Sequence, residues 1–130
     1  MTEAITQPDA TLRLRLGLAD THYAGHLIPA ATVMRLFADC TTEIGIRDNG
    51  RPGLLAAYDE ATFLKPLHAG DYVEIRAKVL SRGRRSRRIR IEGWRMIRAP
   101  APGEGHTYQV LDPPELVAHA VMVSVARRDA

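Results

Sequence analysis

The chain has 130 residues, one cysteine, 5% aromatic residues and a formal net charge of +3. That length fits one domain, which on the usual scaling buries about two thirds of the surface its unfolded chain exposes, so no disulfide or metal staple is needed. A lone cysteine excludes an internal disulfide, no apolar run approaches the ~20 residues of a membrane span, and the opening MTEAITQPDA lacks the basic and apolar regions of a secretion signal, so a cytoplasmic location is expected.

In chain order, residues 1–10 read as a frayed leader and residues 11–130 as the single domain. Thr11 to Leu18 alternates strictly, Leu12, Leu14, Leu16 and Leu18 against Arg13, Arg15 and Gly17, which predicts a half-buried strand. The polar loop ADTHYAGHLIPA follows and carries His22, Tyr23 and His26. It runs into the one convincing helix, predicted from about Pro29 to Ile46, in which Val33, Phe37, Cys40 and Ile44, with Leu36 beside them, recur at helical spacing. Pro29 suits the first turn because its missing N–H has no partner there, and Gly45 with Asp48-Asn49-Gly50 supplies the stop. On this reading Cys40 is a buried structural thiol.

Everything after the helix reads as strand. Leu54 to Leu64 is a second strand, Lys65-Pro66 ends it, and His68 to Asp71 turns the chain. Tyr72 to Leu80 alternates and makes a third strand. Gly83, free to take a positive φ, turns it into a fourth from Arg87 to Ile97, whose apolar phase changes at Gly93 as an inserted bulge residue would make it do. Ala99 to His106 is a loop, Asp112-Pro113-Pro114 a break, and Leu116 to Ala126 the last strand, with His119 on the face of Val117, Val121 and Val123. The short later connections require antiparallel pairing. The expected fold is therefore α+β: a curved antiparallel five-strand sheet wrapped around one central helix, little of which sees bulk water, with a sheet edge left for a second subunit.

Five of the seven residues from Arg82 to Arg88 are arginine, a local signal for an anionic ligand or for a solvated hairpin. Nucleic acid fits poorly, because that run has no aromatic residue to stack on bases and no helix-turn-helix or zinc spacing occurs. His22, His26 and Asp39 are irregularly spaced for zinc, so no metal is expected.

Several blocks carry a resemblance: Ala19 through Gly25, Ala38 through Glu43, Tyr58 to Phe63, Pro66 through Gly70-Asp71, Gly83 to Ser86, and Asp112-Pro113-Pro114. Together they resemble the β-alanyl-coenzyme A and 3-aminobutyryl-coenzyme A ammonia lyases, within the hotdog fold of acyl-coenzyme A thioesterases and dehydratases. The match spans nearly the whole chain after residue 10. The combination Asp-x-His-Tyr-x-Gly followed by a helix bearing Asp-x-x-x-Glu is its specific part, whereas Pro-x-x-x-Gly-Asp marks only the broader fold. The chain departs from the hotdog pattern at Pro29-Ala30-Ala31, where glycine or asparagine is common.

The resemblance implies a β-aminoacyl thioester substrate, reversible loss of ammonia to an α,β-enoyl thioester, a homodimer or larger homo-oligomer, and no cofactor beyond the coenzyme A of the substrate. Such an elimination needs a base for the α-proton, donors to the enolate oxygen, and help for the departing nitrogen. Asp39 and Glu43, one helical turn apart, are the candidate carboxylates. In the resembling thioesterases a helix carboxylate at about this distance does the chemistry, which favours Asp39, while a salt bridge to Arg35 is its alternative role. His22 and His26 are candidates to shuttle the amine proton or bind substrate, and Tyr23 and Tyr58 to line the pocket. The helix start offers free N–H groups, and Ala30 and Ala31 let a carbonyl approach them. Arg84, Arg85 and Ser86 lie in the turn that meets coenzyme A phosphates in resembling proteins; the same arginines suit an acidic acyl carrier protein. Thioester hydrolysis, alone or coupled to amine addition, and a non-catalytic acyl-thioester-binding module stay open beside the lyase.

Overall fold

The computed structural model describes residues 4–21 and 26–126. Along the chain come β1 (Ala10–Arg15), a 3-10 turn (Leu18–Asp20), β2 (Leu27–Ile28), α1 (Ala30–Asn49), β3 (Leu54–Phe63), β4 (Leu67–His68), β5 (Tyr72–Arg82), β6 (Ser86–Arg98) and β7 (Gln109–Val125). Five strands form one antiparallel sheet in the order β1-β5-β6-β7-β3, and β2 pairs with β4 separately. Among the described residues no helix is long and apolar enough to cross a membrane.

The helical stripe does what its spacing requires. Val33, Leu36, Phe37, Cys40 and Ile44 are buried against Val73, Ile75 and Ala77 of β5 and Ile89 and Ile91 of β6. Burying each of the larger of these side chains contributes roughly 1.5–3 kcal/mol. Both helix ends differ from expectation. Pro29 is extended (φ −70°, ψ 152°) and is the N-cap rather than part of the first turn, and the helix continues past Ile46 to Asn49. It stops where Gly50 takes φ 76° and returns its N–H to the Ile46 carbonyl at 2.8 Å. Gly45 does not end the helix; it is buried within it, and a Cβ there would lie 2.9 Å from the Gly53 nitrogen. Its small size lets the chain entering β3 lie against the helix.

The helix packs chiefly against β1, β5 and β6. The sheet therefore extends past its own helix, and nine of the ten residues of β3 are exposed. This corrects the expectation that little of the helix sees water, since Arg35, Asp39, Ile46 and Arg47 are exposed within one chain.

Strand details follow local chemistry. The alternation of β1 places Leu12 and Leu14 against the core, but Leu18 falls in the 3-10 turn and is 66% exposed. The extra residue expected in β6 at Gly93 is not there: Trp94 lies beside Glu92 on the outer face, so β6 keeps its alternation, and the register shift between Gly93 and Trp94 passes over Val117, which places the added residue in β7. Gly83 does not have positive φ; its turn closes through a Gly83 N–H to Ser86 carbonyl bond of 2.8 Å, and a Cβ there would come within 2.6 Å of Ser86 Oγ. The last strand begins seven residues before Leu116, at Gln109, because β7 runs through the cis Asp112-Pro113 peptide and still pairs Val110 with Ile97.

The expected leader is tied down from Ile5 onward. Ile5 is buried and its N–H donates to Glu92 Oε1 at 2.9 Å, while Asp9 exchanges bonds with Ala77 and Val79 of β5. These contacts satisfy polar groups on the sheet's outer face, where Glu92 is only 1% exposed and also accepts from Arg90 and Trp94.

Candidate active site

The start of α1 is open. Among the described residues no side chain caps it, Ala30 and Ala31 are exposed, and Thr32 N–H turns back to the Pro29 carbonyl at 3.0 Å. That leaves the first amides of a 20-residue helix free to meet a partially negative oxygen. Beside it lies a cavity of about 260 Å³ lined by Ala30, Val33, Phe63, Leu67 and Val117 among others, with Lys65 at its edge. Ala31 is not part of its lining.

Asp39 and Glu43 sit on the outward face of the helix. Asp39 pairs with Arg35 at 3.1 Å and Glu43 with Arg47 at 2.6 Å, with carboxylate side chains 54% and 41% exposed. Arg35 also reaches Asp20 at 3.4 Å. Within one chain neither carboxylate lines the helix-start cavity. Cys40, on the apolar face, is buried, and burial, followed by the charge of Glu43, pushes its thiol up to about 12.

His22 and Tyr23 lie outside the described residues. His26 has φ 61°, and its carbonyl accepts from Ala69 N–H at 2.9 Å. It faces a separate groove with Arg15, Gly17 and Tyr108 rather than the helix-start cavity. Tyr58 is the one residue of β3 that is not exposed, and it packs against the core. Its hydroxyl is buried with no partner among the described residues, and burial raises its pKa above the ordinary tyrosine value.

The arginine-rich turn divides into neutralised and open parts. Asp48 at the end of α1 binds Arg87 at 2.7 Å and Arg82 at 3.2 Å; burial pushes its carboxyl up, but the two guanidinium partners outweigh that and hold it below the usual carboxylate value. Arg88 pairs with Asp59. Arg85 donates to the Ala126 carbonyl at 2.8 Å, and Arg84 has no ion-pair partner among the described residues. Arg84, Arg85 and Ser86 line a depression of about 290 Å³ with Asp48 and Asn49. This depression lies at the far end of α1 from Ala30, a separation of about 30 Å for 20 residues at 1.5 Å each. The sequence candidates thus fall into two clusters at opposite helix ends, with the Asp39-Glu43 pair between them.

The chain position of Lys65 gave no functional signal, since Lys65-Pro66 reads as a strand end; only the pairing of β3 with β7 brings it to Val117. Likewise Asp71 reads as part of a turn, yet it is fully buried and accepts from His68 N–H, Ala99 N–H and Arg95. Among the described residues no three His, Cys, Asp or Glu side chains gather as around a metal ion.

Comparison with known proteins agrees with this architecture. The family model for the thioesterase superfamily matches residues 30–97. The chain is 32% identical to the 3-aminobutyryl-CoA ammonia lyase of Acetoanaerobium sticklandii over 92% of its own length and 95% of that protein's. Its fold superposes on the β-alanyl-CoA:ammonia lyase of Clostridium propionicum with a TM-score of 0.87 at 22% identity, covering 95% of this chain and 89% of that one. A hexameric thioesterase from Yersinia pestis superposes with a TM-score of 0.76 at 24% identity, covering 98% of both chains. A five-strand antiparallel sheet packed on one long helix, a family match over half the chain and a full-length relative lead to one conclusion: this chain belongs to the thioesterase superfamily, with the hotdog fold, in the family of the 3-aminobutyryl-CoA ammonia lyase.

Proposed function

We propose that the protein is a β-aminoacyl-CoA ammonia lyase, catalysing reversible elimination of ammonia to an α,β-enoyl thioester. The observation that carries this reading is a cavity lined mostly by apolar side chains beside a helix start that no described side chain caps, in a chain aligned over nearly its whole length with an enzyme named for that reaction. The acyl group occupies the cavity, and its thioester oxygen meets the amides of Ala30 and Ala31. A carboxylate takes the α-proton, the freed electron pair forms the Cα=Cβ bond, and the Cβ–N bond breaks with the amine leaving as ammonia. The charge that collects on the thioester oxygen during this step is what the helix amides stabilise. Side chains and amides of the chain suffice for these steps, so no cofactor beyond coenzyme A is invoked.

Asp39 is the proposed base, with Glu43 beside it and His22 as the proton carrier for nitrogen. Tyr23, His26 and Tyr58 contribute to substrate binding. Arg84, Arg85 and Ser86 take the phosphates of coenzyme A, or the acidic surface of an acyl carrier protein. Because the helix start and the arginine turn lie about 30 Å apart in one chain, a complete site draws them from two copies. The exposed β3, with Leu54, Leu55 and Phe63 at 57%, 50% and 42%, is the edge along which a second copy pairs. Such pairing also covers the outward helix face and removes water from Asp39. The hexameric assembly named for the Yersinia pestis thioesterase supports a homo-oligomer.

Thioester hydrolysis is the second reading, favoured by the superposition on that thioesterase. One assay separates the two: incubate the protein with crotonyl-CoA and ammonia, following enoyl absorbance and free thiol independently. Loss of absorbance without thiol is the expected result, and thiol release supports hydrolysis instead. Asp39→Asn is expected to abolish turnover while retaining thioester binding; unchanged turnover would remove Asp39 from the mechanism.

A further inference from the structure

Among the described residues, Lys65 is the only charged side chain lining the apolar cavity at the helix start. It also lines a larger cavity of about 500 Å³ whose walls mix His68, Arg98, Thr107 and Gln109 with Ala99, Pro100 and Ala101. The two cavities share Lys65 and Pro66, so they meet at that ledge. The ledge is held firmly: the Leu64 and Lys65 N–H groups both donate to the Val117 carbonyl, at 2.8 and 3.3 Å, and the Pro66 carbonyl accepts from Arg95 at 3.0 Å.

The ammonium itself is anchored but releasable. Lys65 Nζ lies 2.8 Å from Glu115 Oε2, and the same carboxylate is held by Arg95 and by Arg98 at 3.3 Å. With two guanidinium groups remaining, Glu115 stays paired when Lys65 turns to a ligand. The lysine side chain is 52% exposed, so the turn disturbs no core packing.

A small chamber lined by aliphatic and aromatic side chains, opening over a cationic ledge into a larger one of mixed walls, fits a ligand with a short apolar head and an arm that alternates amides with methylenes. We propose that Lys65 is a specificity-determining residue for the thioester substrate, donating a hydrogen bond to the amide carbonyl of the arm nearest the sulfur. This rests on the thioester reading of the function. It assigns the acyl group to the smaller chamber and the start of the arm to the larger one.

The test compares wild type, Lys65→Met and Lys65→Arg on crotonyl-CoA and on the crotonyl thioester of N-acetylcysteamine, which keeps the first amide and lacks the phosphates. Loss of one charge-assisted bond predicts a KM about tenfold higher in Lys65→Met for both substrates, with kcat little changed and most of the affinity restored in Lys65→Arg. An unchanged KM overturns the proposal. So does a rise confined to crotonyl-CoA, which would make Lys65 a phosphate ligand. If wild type transforms neither thioester, the lyase reading fails by itself and Lys65 is judged by calorimetric binding of crotonyl-CoA: about tenfold weaker binding to Lys65→Met supports the proposal, and equal binding overturns it.

Discussion

Asp71 and Arg95 form an ion pair sealed inside the protein, 3.1 Å apart with side chains only 1% and 6% exposed. The remaining acceptor positions of Asp71 take the His68 and Ala99 N–H groups at 2.9 and 2.8 Å. One carboxylate thus joins β4, the β4–β5 turn and the end of β6. Removing one member of such a buried pair leaves the other charge uncompensated, at a typical cost of about 3–5 kcal/mol. Asp71→Ala is expected to lower the melting midpoint by roughly 10 °C or more, measured by thermal unfolding. A loss of only a degree or two would mean that Glu115 and water satisfy Arg95 alone.

Glu115 provides a pH signature. Hydrogen bonding from Lys65, then from Arg95, holds its carboxyl at about 2 in the folded protein against the ordinary 4.5. The folded state therefore favours the ionised form. Its contribution to stability is complete above about pH 4.5 and disappears as pH falls towards 2. Urea unfolding of wild type and Glu115→Gln across this range should show a stability difference at neutral pH that narrows through that window. Parallel curves would remove the charge of Glu115 as the cause.

Cys40 should be chemically silent in the native protein. Its thiol is pushed up to about 12 and sits between α1 and β5, its Sγ 3.8 Å from the Ile75 carbonyl. The expected result is negligible alkylation at about pH 8, followed by stoichiometric modification once the protein is unfolded. Fast labelling of the native protein would show that the helix lifts from the sheet.

Replacing Arg84 and Arg85 together by alanine is expected to leave the melting midpoint nearly unchanged, because neither forms an ion pair among the described residues. If these arginines bind coenzyme A phosphates, KM for crotonyl-CoA rises about tenfold or more while KM for the N-acetylcysteamine thioester stays put. Equal effects on both substrates would place the pair elsewhere in the mechanism.

The elements most legible in the sequence were those whose pattern is local. Val33, Phe37, Cys40 and Ile44 mark the helix by their spacing alone, whereas the apparent phase change at Gly93 misled, because Trp94 is apolar yet lies beside Glu92 on the outer face and the added residue is Val117 of β7. Patterns interrupted by proline misled, because Pro113 and Pro114 remove ladder donors and so resemble a break, although β7 runs through them. The segment before Ala10 also misled: its anchors are polar contacts to Glu92 and Ala77, distant in sequence, which no periodicity reports. The candidate site divides in the same way. Asp39 and Glu43 were read from their four-residue interval, but their exposure depends on how far the helix reaches across the sheet. Lys65 and Val117 are 52 positions apart in the numbering, and only the pairing of β3 with β7 brings them together.

That limited reach of α1 across the sheet bears on how the protein behaves on dilution. A chain that leaves β3 bare has part of its apolar surface to gain by association, so folding stability and catalytic competence would share one dependence on protein concentration. Activity lost on dilution would then return on concentrating the sample, with no change in the covalent protein, and the melting midpoint would rise and fall with it.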